Sequence, residues 1–204
     1  MEKIAVYCGS SAGPNDLYRT QAARLGRYLA LNNMHVIFGG GKVGMMGILA
    51  DAALEAGGEV TGVIPAFLHV KEVAHNGLSE LITVETMHER KALIELMCDG
   101  AIALPGGYGT LDELFEMLTW GQLGLHDKPV GILNTNGYFD QILLAIERMV
   151  EEGFLKDLNR DMLLVSENIE KLVALMQNYQ PPKVRKWIMN GDPEKDIPFT
   201  GDSH

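Results

Sequence analysis

Two cysteines, Cys8 and Cys98, are all that the 204-residue chain carries. Two cannot build a disulfide framework, and they lack the spacing of a metal site, so a reducing compartment is expected. Long apolar runs are missing as well. No stretch approaches the ~18 residues of a membrane span. The start, Met1-Glu2-Lys3-Ile4, leads straight into a strand-like segment with no leader pattern. A soluble, cytoplasmic protein is the expectation. Cations are in deficit, with 17 Lys and Arg against 27 Asp and Glu, and the formal net charge is −10. That balance argues against a general binder of nucleic acid or of membrane surfaces. A small phosphorylated ligand stays compatible, because backbone amides and a few cations can hold it inside an acidic protein. Metal spacing is absent too: His88-Glu89 has no second histidine one turn on, and the other histidines are scattered. No metal site is therefore expected. Internal repeats and low-complexity tracts are lacking, and the length suits one sizeable domain.

What is present is a regular alternation. Apolar runs at 4–7, 34–38, 59–64, 81–84, 100–104, 129–133 and 162–165 read as strands. Helical spacing falls between them, at about 16–31, 45–56, 87–98, 111–123, 138–152 and 169–177. Residues 66–79 are less regular. Such alternation predicts an α/β fold of one domain, a doubly wound (Rossmann-like) parallel sheet of about seven strands with helices on both faces. Ligands bind such sheets at the carboxyl ends of the strands, where the loops 8–14, 39–44 and 105–110 fall. The domain is expected over 1–179. From 180 to 204 the composition turns polar with Pro181-Pro182 and further glycine and proline, and a poorly ordered tail is expected.

The stretch Pro105-Gly106-Gly107-Tyr108-Gly109-Thr110-Leu111-Asp112-Glu113 carries the strongest signal. It has three glycines in four positions between a strand and a helix, so the backbone can approach a ligand closely. The amides opening the helix suit a phosphate, and a carboxylate, Glu113, follows directly. Thr110-Leu111-Asp112-Glu113 also fits a capping box, with Thr110 as N-cap and Glu113 reaching back to it. The two readings are compatible. Gly39-Gly40-Gly41-Lys42-Val43-Gly44 fits the G-x-G-x-x-G pattern, but after the second strand, so a glycine turn lining a nucleotide pocket is preferred to a dinucleotide fingerprint. Met87-His88-Glu89-Arg90-Lys91 opens a helix with two cations. They point either to a solvated helix face or to an anionic partner nearby. Cys8, at a strand end, reads as a small buried residue rather than a nucleophile.

Met87-x-x-Arg90-Lys91 followed by Pro105-Gly106-Gly107-Tyr108-Gly109-Thr110-x-x-Glu113 resembles the signature of the LOG ("lonely guy") family. These are cytokinin-activating phosphoribohydrolases, in older usage "lysine decarboxylase-like". The likeness runs over about residues 1–178 and includes Cys8-Gly9-Ser10-Ser11, Gly39-Gly40-Gly41, Met46-Gly47 and Thr119-Trp120-x-Gln122-Leu123-Gly124. It implies hydrolysis of the N-glycosidic bond of an adenine-type nucleoside 5′-monophosphate, giving free base and ribose 5-phosphate. By the same resemblance Arg90 and Glu113 are the catalytic pair. Glu72, Lys91, Gly106, Gly107, Tyr108, Gly109, Thr110, Leu111, Asp112 and Thr119 match substrate-contacting positions, and Ser10, Gly40 and Gly41 join them from the other two loops. A homodimer with sites near the interface is implied, and no cofactor.

The residues agree with that chemistry. Breaking C1′–N9 builds positive charge on the ribose, which a carboxylate beside C1′ stabilises while it orients or deprotonates water. Arg90 could bind a sugar hydroxyl, bind the phosphate, or hold Glu113 ionised. Asp112 is a candidate acid for the leaving base. Met46, Met87, Met117 and Trp120 are candidates for an N6-substituent pocket. Alternatives are AMP salvage or degradation, a pyridoxal-phosphate decarboxylase using Lys91, and a non-catalytic nucleotide carrier or sensor that needs the glycine cradle but not Glu113.

Overall fold

A computed structural model describes residues 1–69 and 74–182 of the chain. Seven parallel strands form one sheet: β1 (Lys3–Tyr7), β2 (His35–Phe38), β3 (Val60–Pro65), β4 (Glu80–Val84), β5 (Gly100–Ala103), β6 (Val130–Leu133) and β7 (Leu163–Ser166). Their order across the sheet is β4-β3-β2-β1-β5-β6-β7. The helices are α1 (Asp16–Leu31), α2 (Gly44–Glu55), α3 (Ala66–His69), α4 (Met87–Met97), α5 (Tyr108–Gln122), α6 (Asp140–Glu151), α7 (Asp157–Arg160) and α8 (Ile169–Gln177). The expected sheet and its double layer are present. Two short helices, α3 and α7, and a 3₁₀ turn at Thr135–Gly137 are additions that the apolar spacing does not signal.

Alternation along the central strands divides the core in two. Ile4, Val6, Val36 and Phe38 pack against α1, α2 and α8. Ala5, Tyr7, Ile37 and Ala103 pack on the other face, against α4 and α5. Strands buried on both faces read as near-continuous apolar runs, which is why these segments stood out. Phe38 is fully buried, and hiding such a side chain stabilises by roughly 1.5–3 kcal/mol.

The strand order has one consequence for function. Chain order runs one way from β1 through β2, β3 and β4, and the other way from β5, which lies directly beside β1. The loops leaving β1 and β5 therefore diverge to opposite faces, and a crevice opens between them at the carboxyl edge. Backbone contacts lock the loops around it: Gly9 N–H donates to the Pro105 carbonyl at 3.1 Å, and Met45 N–H donates to Gly9 at 3.1 Å. Side chains cannot enter there. A Cβ on Gly106 would lie 2.7 Å from the Gly9 nitrogen, and one on Gly9 would lie 2.8 Å from the Ser11 carbonyl. The expected polar tail lies, from residue 183 on, outside the described residues.

Candidate active site

α5 begins at Tyr108 with Gly107 as its N-cap, three residues earlier than a Thr110 cap requires. The capping-box reading is corrected: Thr110 is the third helical residue, Glu113 lies nearly a full turn beyond it, and no side chain caps this helix. Asp112, read as close to the helix start, likewise falls in the second turn. The amides of Tyr108, Gly109 and Thr110 are left without helical partners, as at any helix start, and carry partial positive charge. Glycine serves access here rather than an unusual backbone angle. Gly107 has φ −93°, and a Cβ added at Gly107 or Gly109 would meet no atom within 4 Å. The space in front of these amides is open.

That space belongs to a cavity of about 220 Å³ at the crevice. Its walls come from the end of β1 (Val6, Tyr7, Cys8), from Gly9 and Ser10, and from Gly39 and Met46 beside them. Arg90, Gly107–Thr110 and Glu113 complete it. Two residues 23 apart in sequence, one on α4 and one on α5, thus share a single chamber. The arrangement unites a phosphate-type seat, a carboxyl and a guanidinium.

Arg90 is buried, 8 % exposed. Its Nε donates to the Val63 carbonyl at 3.1 Å and one terminal nitrogen donates to the Gly39 carbonyl at 3.3 Å. These two bonds fix the guanidinium plane, since its donors form a rigid fork. Gly39 must be glycine for this: an added Cβ would collide with the guanidinium, its central carbon being 3.0 Å away. Burial pushes the Glu113 carboxyl up to about 7, with the Arg90 charge opposing the rise and Asp112 adding to it. Desolvation outweighs the cation, so near neutrality Glu113 exchanges between its two forms. Burial likewise drives the Cys8 thiol far up, with Glu113 assisting, and Cys8 is an inert wall rather than a nucleophile. The Tyr7 phenol is also held neutral, by burial first and then by Cys98 and Glu113.

The remaining expected residues divide. Ser10, Gly107, Tyr108, Gly109 and Thr110 line the cavity. Tyr108 stands at its rim, 94 % exposed. Gly106 lines an adjoining cleft of about 370 Å³ with Tyr18 and Tyr138, whose hydroxyl donates to the Gly106 carbonyl at 2.7 Å. Leu111 packs into the core under α5. Lys91 is engaged elsewhere, with Nζ 3.1 Å from Asp112 and 3.0 Å from Glu116. Burial works against its charge, but the hydrogen bonds it donates to Glu116 and Asp112 prevail and raise its pKa. Asp112 is thus an ion-pair partner outside the cavity wall. Thr119 turns its hydroxyl to the Phe115 carbonyl at 2.7 Å and lines a separate groove with Leu118 and Ile146. Gly40 and Gly41 are drawn to the returning chain: His75 N–H donates to Gly40 at 3.0 Å, and Gly41 bridges Ala74. Of the four candidates for a substituent pocket, Met46 alone lines this cavity, and Met117 is core. Glu72 lies outside the described residues.

Sequence reasoning did not single out Tyr7, and it named Gly39 only within the glycine turn expected to line a nucleotide pocket. Tyr7 ends β1, beside the order reversal, and Gly39 follows β2, the next strand over; that position was the available signal. Among the described residues no three His, Cys, Asp or Glu side chains gather to hold a metal. No helix among them is long and apolar enough to cross a membrane.

This geometry can be set against known proteins. A family model described as "Possible lysine decarboxylase" matches residues 46–176. Cytokinin riboside 5′-monophosphate phosphoribohydrolase LOG5 of Arabidopsis thaliana is 43 % identical over 180 residues, covering 88 % of this chain and 79 % of that protein. The chain belongs to the LOG family. LOG2 of the same plant, with the same activity in its name, is 42 % identical over 88 % of this chain and 84 % of its own length. The LOG fold extends to solved structures. A molybdenum cofactor binding protein of Rippkaea orientalis matches with TM-score 0.65 and 25 % identity, over 86 % of this chain and 95 % of that one. The molybdenum cofactor carrier of Chlamydomonas reinhardtii matches in fold, with TM-score 0.65, 21 % identity, and 86 % and 96 % coverage.

Proposed function

We propose that this LOG-family chain hydrolyses the N-glycosidic bond of adenine-type nucleoside 5′-monophosphates, N6-substituted cytokinin nucleotides among them, to the free base and ribose 5-phosphate. The observation that carries the reading is the joint presence, in one 220 Å³ cavity, of open helix-start amides, Glu113 and Arg90. The 5′-phosphate sits on the amides of Tyr108–Thr110, which anchors a remote group and holds the sugar against the acid. In its ionised form Glu113 stabilises positive charge growing at C1′ and takes a proton from water. The water oxygen bonds to C1′, the C1′–N9 bond breaks, and the bonding pair leaves with the base, which takes up a proton from solvent while Glu113 gives its own back to solvent. Among the described residues Glu113 is the one carboxyl lining the cavity, so it carries this step. Arg90, fixed by two carbonyls, keeps one face for the sugar or phosphate and lowers the cost of ionising Glu113.

Substrate contacts by Glu72, Lys91 and Thr119 belong to the same reading and rest on the family resemblance. A homodimer does too, supported by apolar side chains exposed on the α4 to α6 side, Leu96 at 74 % and Leu144 at 62 %. The two free, buried cysteines suit a cytoplasmic setting, and 1–179 serves as the hydrolase domain with the rest as an appendage.

The test is base release. Purified protein is incubated with AMP and with N6-isopentenyl-AMP, each beside its unphosphorylated nucleoside, and free base is measured by chromatography. Release from the monophosphates alone is the expected result, and their ratio identifies the preferred base. Equal release from the nucleosides would contradict the phosphate anchor.

A further inference from the structure

His75 is 5 % exposed, and its backbone N–H and both ring nitrogens are engaged. Its backbone N–H donates to the Gly40 carbonyl at 3.0 Å, beside the Gly41–Ala74 bridge. Its ring nitrogen Nδ1 accepts from the Gly77 amide at 3.2 Å. An amide can only donate, so the ring hydrogen is on Nε2, which donates to Asp51 at 2.8 Å. Asp51 stands on α2, and that helix is itself tied to the site by Met45 N–H donating to Gly9.

The strip gripped by this histidine is the one that seats Arg90. Gly39 gives its carbonyl to the guanidinium, and Gly40, the next residue, gives its carbonyl to His75. Gly40 has φ +77° and is pressed on β3, where a Cβ on Gly62 would lie 2.7 Å from the Gly40 Cα. A turn of three glycines has little stiffness of its own. Its shape is set by what holds it: Arg90 on one side, β3 beneath, and the His75 backbone on the other.

We infer that His75 and Asp51 are positioning residues for the reaction: their partly buried hydrogen bond fixes the Gly39–Gly41 turn and, through the Gly39 carbonyl, the guanidinium of Arg90. Neither side chain lines the cavity, so they act on the substrate only through Arg90. The inference rests on the function proposed above, and its test is built to fail separately from it.

Asp51 is the better site for substitution, because its side chain is 57 % exposed and its removal leaves the core intact. The full-length chain is compared with Asp51→Ala, which removes the acceptor, and with Asp51→Asn, which restores one. Each is made alone and in an Arg90→Lys background. kcat and KM for AMP are measured, together with hydrogen exchange of the Arg90 Nε–H by nitrogen-15 NMR. For Asp51→Ala the expectation is a fall in kcat of about tenfold, with KM moving less than about threefold. It should bring no further loss in the Arg90→Lys background, since two changes acting through one group do not add. Exchange of the Arg90 Nε–H should quicken about tenfold, and Asp51→Asn should restore both readouts. Additive losses, a change confined to KM, or an unaltered Nε–H exchange would overturn the proposal. The exchange measurement decides it even if the wild-type chain releases no base.

Discussion

Arg90 and Glu113 line the same cavity but form no ion pair, because the guanidinium is committed to the carbonyls of Val63 and Gly39. A paired carboxylate would be held ionised and blunt. Here burial wins, and Glu113 sits at about 7, the range in which an acid–base group works best near neutral pH.

The pH profile follows. The carboxylate is the active form, so kcat/KM should rise with pH along a limb centred near 7, well above the ordinary carboxylate value of 4.5. A stopped assay with AMP from pH 5 to 9 checks this. In Arg90→Gln the limb should move to higher pH, because the charge that opposes the rise is gone.

Stability carries the same signature with a definite sign. Folding raises the Glu113 pKa from 4.5 to about 7, so the native state binds the proton more tightly than the unfolded chain. This contribution is full below pH 4.5 and is lost as pH climbs through 7. The loss amounts to at most about 3 kcal/mol. Glu113→Gln should therefore raise Tm at pH 8 and change it little at pH 5, which thermal melts at the two values measure.

Gly39→Ala should act as an indirect lesion of Arg90. The new methyl occupies the guanidinium position, and kcat should drop roughly 100-fold, as a small displacement of a reacting group can cause. Circular dichroism should show the fold retained. A Gly39→Ala enzyme with normal kcat would mean that Arg90 need not lie on this carbonyl.

Gly107→Ala and Gly109→Ala put a methyl into open space, so neither should destabilise. Alanine inside the helix should even stabilise at position 109, by about 0.5–1 kcal/mol. Both should raise KM for monophosphates about tenfold by filling the anion seat. The combination of equal or higher Tm with weaker AMP binding is the outcome to look for.

The sheet was legible because β1, β2 and β5 are buried on both faces and bounded by glycine loops, a local pattern. Strand order was not, since β5 pairs with β1 across almost a hundred residues and nothing local records the partner. The Pro105–Glu113 stretch announced its chemistry, yet its helix start was misread. Gly107 and Gly109 resemble loop residues, and Thr110 and Glu113 mimic a capping box that α5 does not use. Arg90 stood out as a cation near a helix start. Its burial was hidden, because its acceptors Val63 and Gly39 lie 27 and 51 residues upstream. Lys91 and Thr119 are spoken for by Asp112, Glu116 and Phe115, contacts that no spacing rule discloses.

The most direct test of Glu113 compares Glu113→Gln with the wild-type chain by calorimetric titration of AMP and by adenine release. The variant keeps the amides and Arg90, so it should bind AMP at least as tightly as wild type while base release falls by two orders of magnitude or more, about the reach of general acid–base catalysis. Undiminished release would contradict the account, and so would a wild-type chain that binds AMP and releases no base, which would make this site a nucleotide carrier.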